Sequence, residues 1–319
     1  MSKEHLYVQT IHGRLAVPSQ EDLISKFLEV FGEWAPYEHT LADMFLNDGD
    51  TLVDAGAFIG TFALGCNNAK SLKKTICVEA NSLVQPLLEL NLEKNCPSPY
   101  EVIKMAIGAG SDDVHMRVNF KNLGASSVVP SSESTDGGVV LATSLKEIRK
   151  IHGDYQMLKL DIEGSELTAL KQDKSYLNAA KPVLFIEANE TMKTCQVANY
   201  CRWLGYKVFY FSLPVFRTDN HNKSQKRIFQ LAHEALLVML PPSTFFDGPP
   251  VSIINDGGFC VEICNSKALI KALWETPRWA NKAWMDMNKE QLIALLGRYQ
   301  KNESFNDFMA QLMPEKPFG

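Results

Sequence analysis

The chain has 319 residues, 45% of them hydrophobic, and a formal net charge of −5, enough for one large α/β domain with additions or for two modest domains. Its basic residues are scattered and the densest patch, Lys223–Arg227, is short, which excludes the electrostatic footprint of a nucleic-acid binder. Seven cysteines without a C-x-x-C fit buried thiols in a reducing compartment. MSKEHLYVQT has no apolar leader core and no run approaches the ~18 apolar residues of a membrane helix, so a soluble cytoplasmic protein is expected.

The first stretch, LYVQTIHGRLAVP, alternates and turns at His12-Gly13, which predicts a hairpin. Ser19 can cap the helix that follows, with Ile24, Phe27, Leu28 and Phe31 on one face and Gly32 at its end. Gly32–His39 reads as a loop, and a short helical stretch leads to Asn47–Asp50. Strands are predicted at Thr51–Ala55, Thr75–Glu79, Glu101–Ile107, Gln156–Asp161 and Pro182–Ala188, with helices between most of them. The clearest helix is Ser82–Asn95, where Ser82 and Gln85 form a capping-box pattern and Pro86 falls in the first turn. Strands rich in Val, Ile and Leu that alternate with helices imply a mostly parallel sheet covered on both faces.

The polar insert Asn122–Gly138 is too long for a simple connection and is either a functional or a mobile loop. Tyr206–Leu213 and Glu234–Pro241 look like two more strands, an antiparallel pair if the loop between them is short. Beyond them come Trp274, Trp279 and Trp284. Helical faces follow at Leu292, Leu295, Leu296 and Tyr299, then at Phe305, Phe308, Met309 and Leu312, read as a cap over the core or a partner surface. The expected organisation is an N-terminal hairpin with helices (1–50), a main α/β domain (51–241) and a C-terminal helical extension (242–319).

TLVDAGAFIGTFALG, from Thr51 to Gly65, reads as a buried strand, a glycine turn and a helix start. A dinucleotide-binding turn needs G-x-G-x-x-G, so that its middle glycine admits a pyrophosphate. With Gly56 as the first glycine, Phe58 occupies the second position; with Gly56 as the second, Asp54 occupies the first. A P-loop fails as well, since the chain has no Gly-Lys-Ser/Thr. The carboxylate of Asp54, at the strand end, repels phosphates and suits an ammonium, met directly or through water. S-adenosylmethionine carries an ammonium, a sulfonium and an adenosine. Gly56 and Gly60 would let its methionine part approach, and Glu79 ends the next strand about where a ribose-binding acid is expected, roughly 20 residues on. Taken singly, Asp54 could cap the following helix and Glu79 could be an exposed strand end.

With these residues in order, the chain resembles the FkbM-like family of S-adenosylmethionine-dependent methyltransferases. The likeness runs from about Gly32 to Pro241 through GEWAPYE, GDTLVDAGAFIGTFAL, CVEANSLVQPLLELNLEKN, AIGAGSDD, NLGASSV, LKLDIEGSELTALK and KPVLFIEANE. LKLDIEGSE with VDAGAFIG is its specific part; Ala80 stands where a proline is common. The resemblance implies a class I methyltransferase (Rossmann-like) fold, a seven-stranded, mostly parallel sheet with one antiparallel strand. It implies O-methylation, often of sugar or natural-product hydroxyls. The cofactor-binding set is then Glu38, Asp54, Ala55, Gly56, Ala57, Gly60, Thr61, Glu79, Ala80, Asn81, Ala106 and Asp161, with Glu33 and Glu38 either closing over the cofactor or merely solvated.

In an open α/β sheet the site lies beyond the C-terminal strand ends, where Asp161, Glu163 and Glu187 should meet. Asp161 would contact the methionine ammonium or the acceptor hydroxyl, and Glu163 or Glu187 would orient or deprotonate the acceptor, since crowded acids raise one another's pKa. Glu163 could instead serve the dipole of the next helix, and the three acids, with Asn189 nearby, could hold Mg²⁺ or a similar hard ion. His39, His221 and His233 are alternative bases. The insert Asn122–Val129, with Gly124, Ala125, Ser126 and Ser127, either faces the acceptor or is simply flexible. The leading expectation is a methyltransferase acting on a small hydroxylated acceptor. An N-methyltransferase, an NAD-dependent oxidoreductase and a non-catalytic cofactor binder are the rivals.

Overall fold

Short apolar strands alternating with helices build one mixed sheet. A computed structural model of the chain describes residues 6–18, 22–108, 114–118, 123–129, 138–226, 228, 232–276, 278, 288, 290 and 291. The chain divides into a main unit, residues 1–226 and 233–277, and a second unit, residues 227–232 and 278–319. In the second unit Asn288 and Gln291 each accept the other's backbone N–H, at 2.9 and 2.8 Å. The helices expected around Leu292–Tyr299 and Phe305–Leu312 fall outside the described residues.

The main unit begins with a hairpin, β1 (Leu6–Thr10) and β2 (Gly13–Val17), followed by helices α1 (Leu23–Phe31) and α2 (Pro36–Asp43). Next come β3 (Thr51–Ala55), α3 (Thr61–Ala69), β4 (Lys74–Val78), α4 (Gln85–Asn95) and β5 (Tyr100–Ile103). Short strands β6 (Ala106–Ile107) and β7 (Val114–Arg117) precede the polar insert, β8 (Ser127–Val129) lies within it, and β9 (Val139–Val140) and β10 (Ala142–Thr143) follow it. The remainder is α5 (Leu145–His152), β11 (Met157–Leu160), α6 (Glu166–Gln172), α7 (Lys174–Ala180), β12 (Val183–Glu187), α8 (Met192–Trp203), β13 (Lys207–Pro214), β14 (His233–Leu240), α9 (Val251–Asn255), β15 (Phe259–Glu262) and α10 (Ser266–Glu275).

The large sheet has the order β15-β13-β14-β12-β11-β3-β4-β5. Strands β12, β11, β3, β4 and β5 are parallel neighbours, while β14 runs against both β12 and β13. The expected seven strands with one reversed are therefore corrected to eight with two reversed. Phe259–Glu262 pairs antiparallel with the outer edge of β13. The segment after Pro241 is likewise not purely helical, since it supplies this edge strand between α9 and α10.

Every residue of β3 is buried, as the middle of a sheet covered on both faces requires. One face packs Leu145, Leu170, Leu177 and Leu269 against Val53, Leu158 and Ile186; the other packs Leu41, Phe62 and Cys66 against Leu52, Phe185 and Phe211. The hairpin is tied to α4 by Asn91, whose side chain accepts the Ala16 N–H at 2.7 Å and donates to the Ala16 and Ile59 carbonyls. Strand order reverses at β3: β4 and β5 follow on one side, β11 and β12 on the other. The crevice between the ends of β3 and β11 is thus the switch point where open α/β sheets bind ligands.

Several local readings need correction. The cap of α1 is Asp22, which accepts the Ser25 N–H at 2.9 Å; Ser19 lies outside the described residues. Gly32–His39 is a loop only as far as Ala35, because Pro36 fits a first helical turn and opens α2. Ser82 and Gln85 form no capping box: the Gln85 amide donates to the Glu79 and Ala80 carbonyls, and α4 starts at Gln85. The strand expected at Glu101–Ile107 breaks in two, with β5 in the large sheet and β6 paired to β10. All seven cysteines are free, four of them buried.

Candidate active site

The turn after β3 is held in a shape that needs glycine. Gly56, Phe58 and Gly60 have φ of 82, 49 and 90°. The Gly56 and Ala57 N–H groups both donate to the Val78 carbonyl, at 2.9 and 3.1 Å, which ties the turn to the end of β4. The Asp161 N–H donates to the Ala55 carbonyl at 2.9 Å, and a Cβ on Gly56 would lie 1.8 Å from the Asp161 carbonyl oxygen. Beta-strand ends and turn therefore meet at van der Waals contact, with no room for a side chain.

Glu79 sits beside this turn with both oxygens fixed. The Phe58 N–H donates to one at 2.8 Å and the Asn81 N–H to the other at 2.7 Å. Each oxygen keeps a second lone pair for a ligand hydroxyl. Burial pushes the Glu79 carboxyl up to about 7, against the pull of the two N–H groups. Glu79 lines an open cleft of about 530 Å³, counting the solvent at its mouth, that also includes Gly56, Ala80, Ala106 and Asp161. Phe58, Met105, Met116 and Leu123 give it apolar walls. Gly124 and Ser126 of the polar insert reach the same cleft. Asp54, Ala55, Ala57, Gly60, Thr61 and Asn81 are not part of its lining; Gly60 is the residue before α3, and Asn81 is bonded through its N–H to Glu79.

A second cleft, about 260 Å³, is lined by Glu38, Lys159, Asp161, Glu187 and Glu234 over Phe185 and Leu236. Asp161 belongs to both clefts. Lys159 Nζ donates to Asp161 Oδ2 at 2.8 Å. Burial works against the Lys159 charge, but Asp161, Glu38 and Asp54 outweigh it and hold its pKa above the ordinary value. Glu38 is half-buried on α2, and burial raises it to about 7. Asp54 is 1% exposed and neither oxygen makes a hydrogen bond of normal geometry; burial lifts it to about 6, while Lys159 and the Ala63 N–H pull the other way.

Asp161, Glu163 and Glu187 each bring an oxygen within 4.8 Å of the others. Glu163 stands at φ 52° on the turn after β11, next to Gly164 at φ 94°. Burial, then Asp161 and Glu166, raise it to about 7; burial, then Asp161, Glu163 and Glu234, raise Glu187 well above the ordinary range. The helix-start role weighed for Glu163 belongs to Glu166, whose Oε1 accepts the Gly164 N–H at 2.8 Å. Glu163 is left to the acid cluster, whose oxygens have a spacing that a hard cation can bridge.

The histidines fall elsewhere: none of the three alternative bases lines either cleft. His39 packs edge-on to His12 with ring centroids 5.3 Å apart, and burial lowers them to about 3 and about 4. Glu33 neither closes over the clefts nor faces water. It is fully buried and accepts Arg217 Nη2 at 2.7 Å, Arg217 Nε at 3.1 Å and the His221 N–H at 3.3 Å. Lys159 is the site residue that the sequence reading missed. Its signal is a charged residue inside the apolar strand MLKL, two before Asp161 and so on the same side.

Residues 54–208 match the family model described as the Methyltransferase FkbM domain. This stretch is an FkbM-like methyltransferase domain. No curated protein sequence matches the chain. Among solved structures, the chain is similar to methyltransferase FkbM from Methylobacillus flagellatus KT, with 18% identity and a TM-score of 0.41 over 61% of this chain and 44% of that one. It is similar to precorrin-6y C5,15-methyltransferase from Geobacter metallireducens GS-15, with 13% identity and a TM-score of 0.44 over 65% and 87%. It is similar to M. capricolum TrmK in complex with S-adenosyl-homocysteine, with 13% identity and a TM-score of 0.38 over 67% and 71%. The chain thus spans less than half of the first of these proteins. Among the described residues, no helix is long and apolar enough to cross a membrane.

Proposed function

We propose that the chain transfers a methyl group from S-adenosylmethionine to a hydroxyl of a sugar or another small natural-product-like acceptor. The observation that carries this reading is the Glu79 carboxylate, fixed by two backbone N–H groups beside a turn that rejects a Cβ. Such a carboxylate fits the two hydroxyls of a ribose, and the apolar walls of its cleft fit a flat base. Asp54, buried beside Lys159 without a hydrogen bond of normal geometry, disfavours a phosphate. An NAD-type pyrophosphate would meet Phe58 and Asp54 where it needs open backbone.

S-adenosylmethionine would supply the electrophilic methyl group. The chain's own residues bind and orient. Glu79 holds the ribose, Asp54 and Glu38 take up positive charge, and Gly56 allows close approach. At the end of β11 and β12, Asp161, Glu163 and Glu187 accept a hydrogen bond from an acceptor hydroxyl and take its proton as it becomes acidic. Glu163, at about 7, matches that task near neutral pH.

The test is a panel of sugars, other polyols and amines incubated with the protein and S-adenosylmethionine, read by mass spectrometry. Methylation at a hydroxyl, lost in Asp161→Asn, is expected. Products methylated only at nitrogen would replace the O-methyltransferase reading with the N-methyltransferase one.

A further inference from the structure

The helices over one face of the sheet carry a charge imbalance of their own. Leu170, Leu177, Val197 and Leu269 bury the inner sides of α6, α7, α8 and α10 in one cluster. Helix α8 is tied to α10 by the Asn199 amide, which donates to Ser266 Oγ at 2.8 Å. On the outer sides of these four helices the exposed charged residues are Lys171, Lys174, Lys193, Arg202, Lys267 and Lys271, opposed by Glu275. On α1 to α4 the exposed charges balance, Lys26 and Lys94 against Glu29 and Glu93. A chain with a formal net charge of −5 thus places a positive excess on one helical layer. The same layer leaves large apolar groups in water: Met192 is 67% exposed, Trp203 65%, Trp274 46% and Ile270 45%. Met192, Gln196, Asn199 and Trp203 follow at helical spacing and form one stripe along α8; Lys267, Ile270, Lys271 and Trp274 form another along α10. Trp203 stacks on Tyr200 with ring centroids 5.9 Å apart, and Lys174 Nζ lies 4.4 Å from the Trp203 ring centroid.

We infer that this layer is a docking surface for an anionic lipid bilayer. Its charge complements an anionic headgroup layer, and its single exposed acid, Glu275, lies 3.5 Å from Lys271. Indole rings settle at headgroup level, lysine stems run along apolar surface with the ammonium at the phosphates, and Met192 and Ile270 face the acyl boundary. A nucleic acid would use the same charge but gain little from Met192 and Ile270, which offer neither a flat ring nor a hydrogen bond. The contact is peripheral, made by side chains and not by a spanning helix. Lys193 connects the layer to the chemistry: its Nζ donates to the Gly164 carbonyl at 3.3 Å, so the edge of the layer reaches the turn that carries Glu163. Docking does not depend on which acceptor is methylated.

Co-sedimentation of the full chain with large unilamellar vesicles tests this, with phosphatidylcholine alone and with roughly one-third phosphatidylserine added. The wild type is expected to partition at least roughly tenfold more strongly onto the phosphatidylserine vesicles, and to leave them at about 0.5 M salt, where charges are screened within a few ångströms. Lys174→Glu combined with Lys271→Glu is expected to abolish the difference. Trp203→Ser combined with Trp274→Ser is expected to weaken binding severalfold at unchanged charge. Lys26→Glu combined with Lys94→Glu, the same change of charge on α1 and α4, is expected to have little effect. Urea unfolding of each variant separates lost binding from lost fold. Equal partition of the wild type onto the two vesicle types, partition onto neither, or equal loss from both lysine pairs would overturn the inference. Tighter binding to a short single-stranded RNA than to the vesicles would overturn it too, and would assign the layer to nucleic acid.

Discussion

Gly56 has the closest contact of the described glycines. An alanine there would combine a φ of 82° with a Cβ 1.8 Å from a backbone oxygen that cannot retreat without moving β11. Gly56→Ala is expected to cost about 2–4 kcal/mol in urea-monitored unfolding, from overpacking plus left-handed strain. Glu38 makes the opposite case. Its carboxyl is raised to about 7 in the fold, so the folded chain holds a proton that the unfolded chain has released. Its contribution to stability is therefore complete below about 4.5 and lost as pH rises through 7. Glu38→Gln is expected to melt higher than the wild type at pH 8, with the gap closing toward pH 5, and to bind S-adenosylhomocysteine more weakly. An equal melting gap at both pH values would contradict this. Asp54, Glu79 and Asp161 could be read from the sequence because each ends a strand within a short motif. Lys159 could not, because its neighbours Glu38 and Asp54 come from distant elements that only the sheet brings together.

At the scale of elements, Glu33 clamps the corner between α1 and α2 to the chain that leaves β13. Its carboxylate is fully buried, so removing the guanidinium strands a charge that two backbone N–H groups only partly satisfy. Arg217→Met is expected to cost about 1–3 kcal/mol in unfolding free energy, toward the low end because Arg217 is partly exposed. A loss below a few tenths would show the pair to be ornamental. Of the large sheet, β3, β4, β11, β12, β13 and β14 were legible because each is a mostly buried, apolar run. The eighth, FCVE, was not. It is short, only half-buried and at an edge, and its pairing with β13 is a long-range event with no local pattern. Pro36 misled in the same way: a proline reads as a loop until the next turn shows it to be a helix start.

For the molecule as a whole, pH acts through two opposed sets of buried groups. His12 and His39 remain neutral in the fold down to about 4 and about 3, whereas the unfolded chain protonates them near 6.5. The unfolded state binds more protons in that window, so their contribution is complete above 6.5 and lost as pH falls toward 4. Asp54, Glu38, Glu79 and Glu163 act in the other direction between their ordinary values and about 6 to 7. His39→Phe is expected to lose less stability than the wild type between pH 6.5 and 4, measured by urea unfolding at each pH. Parallel curves would contradict it. The crowding of acids at the strand ends is a stability cost that a bound cationic group would offset. The most direct measurement is therefore calorimetric titration of S-adenosylhomocysteine and NAD into the wild type and Asp54→Ala. Binding of S-adenosylhomocysteine alone, at least roughly tenfold weaker in Asp54→Ala, is the expected result. Binding of NAD, or of neither ligand, would contradict the reading of the turn after β3.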